Sequence, residues 1–164
     1  MKKPFFMTWM LFAVSIVINA QIQVSRQYTP IDLDVKIKRC VVSGNQGYID
    51  LVFTNYTGKC INDIFVLPYN GNVKYPETVA YDDEGNVYFY EKNMYKITFG
   101  GKDGHAYHTL PEEVSVKMRI ELKDISEFAT EFTMLNIVFR GISSHDHVGD
   151  GSITFRKIPI TRLE

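Results

Sequence analysis

All four histidines fall in two short stretches, His105 with His108 and His145 with His147, and Asp103, Asp146 and Asp150 lie among them. Neutral imidazoles beside carboxylates suit zinc or another divalent transition metal. His105, His108, His145, His147 and Asp150 are therefore the candidate metal ligands, and the chemistry they would support is metal binding or metal-dependent hydrolysis. The competing reading is that they are exposed loop histidines that bind nothing. His-x-x-His and His-x-His lack the rigid frame of a helical His-Glu-x-x-His site. Calcium would need Asp146 and Asp150, but the run from Asp146 to Gly151 is shorter than the loops whose spacing marks a calcium site. Other chemistry has no pattern behind it: there is no Gly-x-Ser-x-Gly elbow and no phosphate-cradling loop. The carboxylates are scattered, with none placed by spacing as a glycosidase pair. No catalytic residue is assigned, and no cofactor beyond that divalent metal.

Tyrosines crowd the middle of the chain, at 69, 75, 81, 88, 90, 95 and 107. If residues 86–91 form a strand, Val87 and Phe89 take one face and Tyr88 and Tyr90 the other. Such an exposed pair would stack on sugar rings or anchor a protein partner; the alternative is cross-strand packing between tyrosines. The acidic run Asp82-Asp83-Glu84 reads either as a cation site or as a solvated turn. Asn55-Tyr56-Thr57 fits a glycosylation sequon, relevant only in a eukaryotic secretory pathway.

The elements that would position these residues are strands. Val114, Val116, Met118, Ile120 and Leu122 alternate with Ser115, Lys117, Arg119 and Glu121, the period of a strand with one buried and one wet face. Val35 and Ile37 alternate with Lys36 and Lys38. Arg39 breaks the phase, and Cys40 with Val42 resumes it if a bulge absorbs one residue. Ile49 to Phe53 alternates again after a Gly-rich turn, so residues 33–53 read as a hairpin. Further strands are expected near 63–69, 77–81, 86–91, 95–100, 134–142 and 152–160, with one short helical turn near 124–132 capped by Ser126. The two histidine stretches are separated by two strands, so strand parity predicts that both lie at one edge of the domain.

The N-terminus reads as a secretory leader. Lys2 and Lys3 precede an apolar run from Phe5 to Ile18, and Asn19-Ala20 offers a cut before Gln21. The run is shorter than the roughly 20 residues a bilayer requires, so no stable membrane anchor is expected. Export predicts a periplasmic or extracellular protein, with residues 21–32 as an extension and 33–164 as one domain. The leader holds two of the 18 basic residues and none of the 19 acidic ones, which moves the charge from −1 to −3. That balance gives no footprint for nucleic acid or anionic lipid. Export alone predicts a Cys40–Cys60 disulfide. The hairpin predicts against it: Cys40 should sit opposite Asp50, roughly 10–20 Å from Cys60 by strand rise, beyond the ~7 Å reach of a disulfide.

Three segments together carry a resemblance. Ile49 to Gly58 ends a strand in Phe-x-Asn-x-Thr, Ala80 to Tyr88 holds an Asp-x-x-Gly hairpin, and Leu110-Pro111 leads into Val114–Leu122. In this order they resemble the exported bacterial immunoglobulin-like domains of unknown function. The resemblance spans most of residues 33–160. It implies an all-β fold, a single antiparallel sandwich of eight or nine strands, and transfers no catalytic residue. The expected function is an exported, non-enzymatic binding or accessory module with a protein or carbohydrate partner; the alternative is the metal-dependent reading of the histidines.

Overall fold

The computed structural model describes residues 22–27, 33–66, 78–90, 92–104, 107–140 and 151–164. Among them the chain is all-β, in two sheets and without a helix. Along the chain the strands are β1 (Gln23–Gln27), β2 (Leu33–Ser43), β3 (Gln46–Asn55), β4 (Ile61–Val66) and β5 (Val79–Asp82). Next come β6 (Val87–Phe89), β7 (Met94–Phe99), β8 (Lys102–Asp103) and β9 (His108–Leu110). Last are β10 (Ser115–Lys123), β11 (Glu131–Arg140), β12 (Gly151–Pro159) and β13 (Thr161–Leu163). Sheet I runs β1-β12-β11-β4-β9, with β5 also on β11 and β6 on β5; sheet II runs β13-β2-β3-β10-β7-β8.

The inward sets of both sheets close on one core. From sheet II, Leu33, Val35, Leu51, Phe53, Phe99 and Ile120 meet Ile61, Leu135, Ile137, Phe139 and Phe155 of sheet I. Edge-on ring pairs, Phe53–Phe99 at 5.1 Å and Tyr88–Phe132 at 5.5 Å, add about 1 kcal/mol each beyond their area. Gly104 joins the sheets at one end, its N–H donating to Ile97 O and its carbonyl accepting from Val66 N–H. A Cβ there would stand 2.6 Å from the Ile97 side chain, so only glycine fits.

The hairpin β2–β3 forms as the alternation requires. Gly44 supplies the positive φ of its two-residue turn. The register shifts between Ile37 and Arg39, where the break in phase asked for a bulge. Cys40 stands opposite Ile49 rather than Asp50, because the turn centres between Gly44 and Asn45.

Four expectations are corrected. There are more strands than eight or nine, since β1, β8, β9 and β13 are too short or too polar to show a period. One pair, β13 on β2, is parallel. Residues 23–27 of the expected extension pair along β12 as part of sheet I. The helical turn near 124–132 is not a helix. Asp124 takes φ 59°, which breaks a helix. The segment closes only a single turn, Ala129 N–H to Ser126 O, and the Ser126 and Ala129 carbonyls also accept from the Arg162 guanidinium. Phe128 is consequently 69% exposed, while Phe132 reaches the core from β11.

Candidate functional site

His105, His145, His147 and Asp150 lie outside the described residues, as does Asp146. His108 is not in a loop: it opens β9, buried edge-on against Phe99 with ring centroids 4.9 Å apart. Its Nε2 lies 2.8 Å from the Asp103 carbonyl, which can only accept, so that nitrogen carries the proton and is closed to a metal. Among the described residues no group of three or more potential metal ligands forms. The described ends of the two histidine segments are linked only through β4 and β11. Val66 bonds Gly104, pairs with Phe139, and Phe139 pairs with Gly151.

The exposed tyrosine pair is overturned. Tyr88 is 1% exposed, and Val87 is the outward residue instead. Tyr88 points inward because the Asp82 carboxylate waits there for its hydroxyl, 2.7 Å away. Burial first, then that carboxylate, pushes the Tyr88 phenol above its usual range. Tyr90 is half-buried against the core.

The acidic turn is a knot of hydrogen bonds. Asp82 Oδ1 accepts from Glu84 N–H and Asn86 N–H, and Oδ2 from Asn86 Nδ2 and the Tyr88 hydroxyl. Next to it, Asp83 accepts from the backbone and hydroxyl of Thr130, fastening this turn to the 124–130 segment. Asn55 is equally committed. Its amide nitrogen donates to Lys59 O and Leu110 O, and its oxygen accepts from Thr57 N–H and Thr57 Oγ1. The Phe-x-Asn-x-Thr strand end therefore binds the Leu-Pro lead-in directly. With Asn55 buried and its amide hydrogens spent, the sequon is closed to glycosylation in the folded protein.

Both cysteines are free, Cys40 in the core and Cys60 exposed. Burial pushes the Cys40 thiol up to about 12, leaving it inert at neutral pH.

The arrangement with chemical capacity is the outer face of sheet II. Strand pairing lines up Arg39, Asp50, Arg119 and Thr98 in one row across β2, β3, β10 and β7. Arg119 grips Asp50 bidentately, Nε to Oδ1 at 2.6 Å and its terminal nitrogen to Oδ2 at 2.9 Å. Arg39 donates Nε to Oδ2 at 2.7 Å from the other side. Both guanidinium groups lie over the Tyr48 ring, 4.1 and 5.1 Å from its centre. Burial alone would raise the Asp50 carboxyl, but the two guanidinium groups outweigh it and hold that carboxyl below its usual range.

Beside this row is an open depression of about 440 Å³. Its lining carries five cations, Lys38, Arg39, Lys96, Lys117 and Arg119, against Asp50 and Glu121. The whole-chain charge of −1 conceals this positive face. Sequence reasoning found its parts, the outward Lys117 and Arg119 and the phase break at Arg39. It had no signal that β10 flanks the β2–β3 hairpin.

No protein-family model, no curated protein and no solved structure matches this chain.

Proposed function

We propose that the protein is an exported, non-enzymatic binding module on an immunoglobulin-like sandwich, working through the outer face of sheet II. The observation that carries this reading is the depression with five cations and two carboxylates, set on rigid paired strands in a chain of net negative charge. A general acid needs a carboxyl raised toward neutrality. Asp50 is held in the opposite direction, so its role is to fix the arginines rather than to move protons. The leader at residues 1–20 supports export, and the strand-end, hairpin and lead-in motifs support the immunoglobulin-like comparison. The partner expected is a carbohydrate or a protein met outside the cytoplasm.

The test is an amide chemical-shift titration of the isotope-labelled protein with neutral and acidic oligosaccharides, peptides and simple anions. Shifts gathered on β2, β3, β10 and β7 are expected for at least one ligand. A panel that perturbs none of these strands removes the proposed working surface.

A further inference from the structure

We propose that Lys38 and Arg39, with Lys117 across β3, form a receptor for the carboxylate or sulfate groups of an acidic polysaccharide. This rests on the reading that the outer face of sheet II is the working surface, and it names the ligand class. The bulge between Ile37 and Arg39 is what creates the receptor. An unbroken strand would send consecutive side chains to opposite faces; here Lys38 and Arg39 both line the same depression.

The two arginines then differ in what they have left to offer. Arg119 spends two donor nitrogens on Asp50. Arg39 spends only Nε, is steadied over Tyr48, and keeps both terminal nitrogens on a side chain 55% exposed. A guanidinium oriented from behind with its fork unspent is preorganised for a bidentate oxyanion. Lys36 is engaged by Asp34 at 2.6 Å, whereas Lys38 and Lys117 have no carboxylate partner among the described residues.

The surroundings select the occupant. The unpaired cations span β2 to β10, two strand spacings or roughly 10 Å, which suits a chain bearing repeated charges more than one small ion. None of the exposed large apolar residues lines the depression, so a lipid surface gains no insertion there. The depression itself offers no platform for a nucleic-acid base: Tyr48 is covered by guanidinium groups, and the exposed Tyr95 of β7 does not line it.

The experiment measures binding of the full purified chain to heparin oligosaccharides, oligogalacturonate, neutral dextran, anionic phospholipid vesicles and single-stranded DNA, over a salt series. Binding to one or both acidic glycans is expected, falling steeply with salt and absent for dextran. Arg39→Ala and Lys38→Ala should each weaken it about tenfold with an unchanged melting temperature. Arg39→Lys, which keeps the charge and loses the fork, should weaken it as well. Lys92→Ala, a charge removed elsewhere, should leave it unchanged. An equal loss in Lys92→Ala, or vesicles or DNA binding as tightly as the glycans, would overturn the receptor. If a neutral sugar or a peptide titrates onto sheet II and acidic glycans do not, the working surface survives and this ligand class fails. If nothing perturbs that face, both fail.

Discussion

Two aspartates, about thirty residues apart in sequence, solve opposite problems. Asp82 is 2% exposed and takes four hydrogen bonds, all from uncharged groups and all within its own hairpin. Asp50 keeps 18% of its side chain exposed and is held by two guanidinium groups from two different strands. Around Asp82 every donor is consumed, so the site can only stabilise. Around Asp50 one anion is set against two arginines with further lysines beside them, and the surplus faces solvent. A saturated polar cluster is architecture; an unsaturated one on a rigid sheet has capacity left for a ligand.

Breaking the saturated cluster should have the largest effect. Asp82→Ala leaves the Tyr88 hydroxyl buried without its acceptor and frees two turn amides, at a cost of about 3 kcal/mol. The melting temperature should fall by roughly 10 °C by calorimetry, with acidic-glycan affinity at lower temperature unchanged. Tyr88→Phe removes one donor of four and should cost about 1 kcal/mol in urea unfolding, again with binding intact.

The Asp50 side yields less stability and a pH signature. Asp50→Asn should cost under ~1 kcal/mol at neutral pH. Since the folded carboxyl lies below its ordinary range, its contribution is complete above the unfolded value of about 3.9 and is lost as pH falls through the lower folded value. Urea midpoints of wild type and variant should therefore differ by a constant amount from about pH 5 to 8 and converge in strong acid. A gap that persists there would assign the loss to packing. The smallest effect belongs to the exposed Lys96–Glu121 pair at 3.5 Å, where Lys96→Ala should change stability by less than ~0.5 kcal/mol.

Local pattern carried much of the fold. The alternation from Val116 to Leu122 and the hairpin over 33–53 follow from side chains pointing to opposite faces of a strand, and the bulge at Arg39 followed from a single break in that period. Val114, expected inward, precedes β10 and is exposed. Short strands escaped: β13, of three exposed residues, has no period to read. Tyr88 was assigned outward because alternation says which residues share a face and not which face is buried. That choice was made by Asp82, six residues away, and by Phe132 from β11.

The sequence by itself determined the strand class and the hairpin with its bulge, because each depends on neighbours within a few residues. Only the tertiary structure decided that β10 lies against β3, bringing Arg119 to the same carboxylate as Arg39 across 69 residues of chain. Strand order is set by which apolar faces close one core, a property of the whole chain. The positive face on the far side of sheet II is a consequence of that closure, and no local pattern encodes it.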